Sequence, residues 1–176
     1  MRTFATVAVT LIATLAVSAA GAAIFVSSGA YNIGADDHHT KPVFALIEEL
    51  RERSITVRSR GLAMPELEDD ARVRLGAGYY AAHCTVCHLA PGMDKDKADV
   101  RRGMYPHPPN LSQEGVDDPR EAFWIVKHGI KMSAMPSWSK TLDDEDIWDL
   151  VAFLRKVPGM APEKYAQLSS SGPPAG

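Results

Sequence analysis

Between Thr3 and Ala35 the chain carries no charged side chain, and TFATVAVTLIATLAVSAAGAAIFVSS is apolar or small almost throughout. About 20 such residues suffice to cross a bilayer as a helix. Arg2 precedes the run and Asp36 and Asp37 follow it, a bias that puts the N-terminus in the cytoplasm and the rest outside. A cleaved signal peptide is the competing reading, because SAAGAA offers small-residue cleavage sites. Cleavage there would leave Ile24, Phe25 and Val26 as an apolar start, so the run reads as a retained anchor in the cytoplasmic membrane through residues 3–28. Both readings send the remainder to the same oxidising, periplasmic side.

The other segments follow from composition. Residues 1–30 are the anchor, 31–68 a hinge and juxtamembrane helix, 69–160 the domain that holds the cysteines, and 161–176 a disordered tail. In the second segment Thr40 caps a helix with Pro42 in its first turn. Val43, Leu46, Ile47, Leu50, Ser54 and Val57 then fall on one stripe, with Glu49 and Arg53 paired on the other side. The helix either packs on the main domain or is a juxtamembrane arm that binds a neighbouring membrane subunit, and periodicity does not say what the stripe faces. Further helices are predicted from Asp69 or Asp70 through Cys84, through PREAFWIVKHG, and through DDEDIWDLVAFLRKV with Arg155 and Lys156 in its last turn. Leu89 to Asn110 is rich in Pro, Gly and charge and reads as loop. Nothing alternates like a strand, so the fold class is all-α.

The formal net charge is −3, and residues 61–176 hold 13 basic and 17 acidic side chains. That balance, with no dense run of Lys and Arg, argues against a nucleic-acid partner.

Both cysteines lie in HCTVCH, residues 83–88. Cys84, Cys87 and His88 form C-x-x-C-H, for which three uses compete. A redox dithiol needs a βαβ surround that is missing here. A structural zinc site needs four ligands, and with no second cysteine pair His107 or His128 would have to serve. Covalent attachment of one c-type haem needs only these residues: the thiols reach the two vinyl groups and the imidazole comes under the iron. In an exported helical domain the haem reading is the one adopted. His83 has no needed role and reads as a solvated helix residue.

A sixth ligand to the iron would come from downstream: His107, His128, Met93, Met104, Met132, Met135 or Met160. Here the sequence resembles the class I cytochrome c family. Gly76 stands eight residues before the first cysteine and Tyr80 four before it; Leu150, Phe153 and Leu154 match the last helix; Pro109, Asn110 and Leu111 match a Pro-Asn-Leu; and SAMPSW resembles the Met-Pro loop. The resemblance covers about residues 69–157. It implies a class I cytochrome c fold behind the transmembrane helix and the additional amphipathic helix, with the Gly76 helix crossing the last one closely. It also implies Met135 as sixth ligand, so that His88 and Met135 hold the iron. One departure is the 21-residue stretch from His88 to Pro109, longer than in compact members of the family.

Physical reasoning points to the same ligands. A thioether is a soft neutral donor that favours ferrous iron. The Pro109 carbonyl is placed to accept the His88 Nδ1 proton, and Pro136 restricts the backbone beside Met135. Met132 would line the same pocket, whereas His107, His128, His38 and His39 read as surface or packing residues. Trp124, Trp138 and Trp148 read as core aromatics, with a propionate contact a lesser alternative for Trp138. Arg101, Arg102 and Tyr105 are lesser candidates for neutralising propionates. Lys127, Lys131 and Lys140 flank the Met loop and would steer an acidic redox partner if they ring an exposed haem edge.

The expectation is a membrane-anchored mono-haem cytochrome that passes single electrons between membrane-bound redox partners, needs no catalytic residue, and serves as a carrier or as a subunit of a membrane redox complex. A haem enzyme or gas sensor with an open sixth position is the alternative, and a zinc-stapled interaction module a third.

Overall fold

The structure is a computed structural model and describes residues 2–170. The chain divides into two units, Met1–His38 and His39–Gly176. All the elements described are helical.

The first unit is one helix, α1 (Arg2–Ser28), with no buried residue. Its mean hydropathy reaches 2.2, and it is long and apolar enough to cross a membrane. Its polar side chains bond to the helix's own backbone. The hydroxyls of Thr6, Thr10 and Thr14 donate to the carbonyls of Arg2, Thr6 and Thr10, and those of Ser27 and Ser28 to Ile24 and Phe25. In a medium that offers no hydrogen bonds this removes the cost of the hydroxyls. Gly29, at φ 64°, ends the helix.

The second unit begins with α2 (Lys41–Ser59), followed by α3 (Asp70–His83), α4 (Thr85–His88), α5 (Asp99–Arg102), α6 (Leu111–Glu114), α7 (Pro119–His128), α8 (Asp144–Leu154) and α9 (Pro162–Ser169). Aspartates start three of them: Asp69 accepts from Ala71 N–H, Asp118 from Arg120 N–H, and Asp143 forms a capping box with Asp146.

The core is the crossing of α3 and α8. Val73, Ala77 and Tyr80 meet Ile147, Leu150, Phe153 and Leu154 in one buried cluster. Tyr80 and Phe153 ring centroids are 5.3 Å apart. Gly76 lets the two backbones touch, since a Cβ built there would lie 2.0 Å from the Asp149 carbonyl oxygen and 2.8 Å from Phe153 Cβ. Arg72 locks the rim of the crossing through Asp149 at 2.7 Å and Glu145 at 2.8 Å. Phe123 of α7 stacks on Trp148 at 4.2 Å.

Several expectations change, among them the predicted Leu89–Asn110 loop, which carries the one-turn helix α5. Residues 162–169 form α9 where a disordered tail is predicted: Pro162 starts the helix, and Tyr165 and Leu168 pack against the core. Residues 171–176 of that tail lie outside the described ones. α2 does pack beside α7, with Thr56 Oγ1 donating to Glu121 at 2.7 Å, but it buries Ile55 and Ser59. Most of the predicted stripe faces outward, with Leu46 71 %, Leu50 69 % and Val57 63 % exposed, while Val43 and Ser54 are half-buried. The helix thus packs on the main domain through a face other than the stripe, because apolar spacing marks a face without saying what covers it. Thr40 occupies the N-cap position of α2 without a side-chain bond, and Arg155 and Lys156 fall just past the end of α8, where both pair with Glu68.

Candidate functional site

The site grows out of the end of α3. Cys84 N–H still bonds to the Tyr80 carbonyl, and the Cys84 carbonyl accepts from Cys87 N–H at 3.1 Å and His88 N–H at 2.9 Å. This extra turn puts positions i, i+3 and i+4 on one face, so Cys84, Cys87 and His88 point the same way. It ends at Leu89, a buried non-glycine residue at φ 63°. With ψ at 160° this is a sparsely populated extended conformation that costs about 1–3 kcal/mol. It is held by the hydroxyl of buried Tyr80, which reaches the carbonyls of His88 and Leu89. Tyr80 thus turns the chain sharply just after the histidine.

His88 Nδ1 lies 3.0 Å from the Pro109 carbonyl oxygen. A carbonyl only accepts, so Nδ1–H donates and the neutral ring keeps its lone pair on Nε2. Burial lowers the His88 pKa, while the Pro109 bond opposes that shift and the positive charge of Arg101 adds to it. Burial pushes the Cys84 thiol up to about 12, with Cys87 contributing, and raises Cys87 as well. Among the described residues no group of three or more His, Cys, Asp or Glu side chains is arranged to hold a metal ion.

Met135 shares a cleft with Cys84, Cys87, His88, His83 and Trp138. Its loop is pinned back onto α7. Ile130 N–H donates to the Met135 carbonyl, Trp138 N–H to Val126, and the Ser137 hydroxyl to Lys127 at 2.7 Å. Buried Gly129, at φ 67°, makes the fold-back possible: a Cβ there would sit 2.6 Å from the Pro136 carbonyl carbon and 2.8 Å from the Met135 oxygen. Gly129 escaped the sequence reading, although a glycine at the end of α7 and six residues before the Met loop's key side chain is a visible signal.

The rivals to Met135 stand elsewhere. Met132 is fully exposed at φ 58° and lines no part of the cleft, unlike the alternative the sequence offered. Met93 sulfur accepts from Ala90 N–H, Met160 packs against the core, His107 Nδ1 donates to the Arg101 carbonyl, and His128 stacks on Trp124. His83 is a correction too. It is half-buried, with its ring 4.9 Å from that of Trp138 at the cleft, not a solvated helix residue. Lys127 is held by Asp144 at 2.6 Å, which leaves Lys131 and Lys140 of the three lysines without an ion pair among the described residues.

Residues 71–154 match the family model described as cytochrome C oxidase, cbb3-type, subunit III. They form a class I c-type cytochrome domain. No curated protein and no solved structure matches the chain. The match runs from the first turn of α3 to the end of α8, and it leaves α1, α2 and α9 outside. A cytochrome c domain serves electron transfer through a haem iron. The side chains in the cleft suit that group: two protonated, unjoined thiols, an imidazole with a free Nε2 and a neutral thioether.

Proposed function

We propose that the chain is a mono-haem electron carrier, held on the periplasmic face of the cytoplasmic membrane by a retained α1. In this reading Cys84, Cys87, His88 and Met135 would hold one haem, the two thiols through its vinyl groups and His88 Nε2 and the Met135 sulfur as donors to its iron. The haem supplies one-electron exchange between ferrous and ferric iron. The chain's residues keep the surroundings of that exchange constant. Pro109 fixes the ring plane and tautomer of His88 and raises its basicity. Gly129 and the Ser137 anchor hold Met135, and Tyr80 with Leu89 sets the exit of the chain below His88. A ligand set that barely moves keeps the cost of reorganisation low, and a neutral sulfur donor favours the reduced state.

The observation that carries this reading is the meeting of Cys84, Cys87, His88 and Met135 in one cleft, with His88 already tied to Pro109. The outward stripe Leu46, Ile47 and Leu50 on α2 is the surface offered to a membrane-bound redox partner, which makes the protein a complex subunit in place of a diffusing carrier. Tethering by α1 raises the effective concentration at such a partner.

Haem staining after denaturing electrophoresis tests the attachment. The stain is expected to stay with the parent chain and to vanish in the Cys84→Ser, Cys87→Ser variant. A parent chain that does not stain sinks the reading.

A further inference from the structure

α9 does more than close the core. With α3 and the turn after α8 it frames a cavity of about 320 Å³ that shares no lining residue with the cysteine cleft. The floor is apolar: Val73 is buried, and Met160 and Leu168 are half-buried. The rim carries Arg74, Lys156 and Lys164 against one carboxylate, Asp70. Lys156 is taken by Glu68, whereas Arg74 and Lys164 make no ion pair among the described residues, not even Arg74 with Asp70 one turn before it. The whole chain is −3, so two uncommitted cations over an apolar floor run against its average charge. Of the lining residues only Val73 and Arg74 fall within residues 71–154, so the cavity comes from this chain's own additions to the matched domain.

Such a wall suits a guest with one anionic end and one apolar body. The body leaves water on the floor, and the head meets the two cations. The planar fork of arginine matches a carboxylate. The volume is at the low end of small-molecule sites, so the guest is short. We propose that this cavity binds an amphipathic monocarboxylate of the size of a short-chain fatty acid. Its carboxylate pairs with Arg74 and Lys164, and its chain lies on Val73, Met160 and Leu168. The site uses no residue of the cysteine cleft and stands independently of the haem reading. A bound guest also fastens α9 to α3, where the Tyr165 ring meets that of Tyr80 edge-on at 6.4 Å.

The test is methyl NMR of the full chain in nanodiscs of zwitterionic lipid, titrated with hexanoate, with its neutral analogue hexanamide, and with acetate. Hexanoate is expected to move the methyl signals of Val73, Met160 and Leu168 to saturation, and hexanamide and acetate to bind about tenfold more weakly or less. The double variant Arg74→Gln, Lys164→Gln is expected to lose about tenfold in hexanoate affinity with its other methyl signals unchanged. No saturable movement at these three residues overturns the proposal, as does equal binding of hexanoate and hexanamide. Movement spread over methyls throughout the domain marks simple partition and overturns it too, and so does a double variant that binds hexanoate like the parent. If the double variant does not fold, the comparison of the three probes on the parent decides.

Discussion

Gly76 and Asp149 touch backbone to backbone: a Cβ on the glycine would fall 2.0 Å from the aspartate's carbonyl oxygen. The α3–α8 crossing that supports the cleft has no room for a methyl group at this point. Gly76→Ala is expected to force the helices apart and to cost about 1–3 kcal/mol or more. Chemical denaturation of the haem-loaded protein measures it, and a loss below about 0.5 kcal/mol would mean the crossing is looser than described.

The two faces of α2 separate cleanly by substitution. Ile55 is 3 % exposed and Leu50 69 %. Ile55→Ala is expected to lose about 2–4 kcal/mol of folding stability, whereas Leu50→Ala stays within about 0.5 kcal/mol of the parent. Similar losses in both would show that the outward stripe is covered within the isolated protein.

What the sequence revealed and what it hid divide along the same line. Cys84, Cys87 and His88 were legible because their spacing is a steric requirement, a turn that aligns two thiols and an imidazole, and Gly76, Tyr80, Leu150 and Phe153 were legible through the resemblance to class I cytochromes c. Helices α3, α7 and α8 were legible for similar reasons of capping and period, whereas the one-turn helices α5 and α6 were not. The partner of a surface was not. On α2 the buried face is the mixed one with Ile55 and Ser59, and nothing in an apolar stripe says which side meets α7. In α9 the composition is polar, yet Tyr165 and Leu168, three residues apart, seat the helix against the core. His83 looked idle because the side chain it meets, Trp138, is 55 residues away.

Acid should weaken the link between the linker before α3 and the end of α8. Lys156 and Arg155 hold the Glu68 carboxylate below its usual value of 4.5. A depressed carboxylate pKa contributes stability that is present above the unfolded value and is lost as pH falls through the folded one. The stability difference between the parent and Glu68→Gln is therefore expected at neutral pH and to shrink below about pH 4.5. Denaturation curves of both proteins at several pH values check this, and a difference that grows on acidification would contradict it.

If α1 is the anchor, its removal leaves the haem domain intact. A chain lacking residues 1–38 is expected to move from the membrane fraction to the soluble one with the spectrum of the parent unchanged. Fractionation followed by spectroscopy reads both effects. Continued membrane attachment would assign the anchoring to α2 in place of α1.

The most direct measurement is the absorption spectrum of the purified protein, oxidised and reduced, with and without carbon monoxide, beside Met135→Ala. The parent is expected to be low-spin, to show the weak long-wavelength band of Met bound to ferric iron, and to ignore carbon monoxide; Met135→Ala is expected to lose the band and bind carbon monoxide. A high-spin parent that binds carbon monoxide rapidly would contradict this, because the iron would then be open and Met135 no ligand.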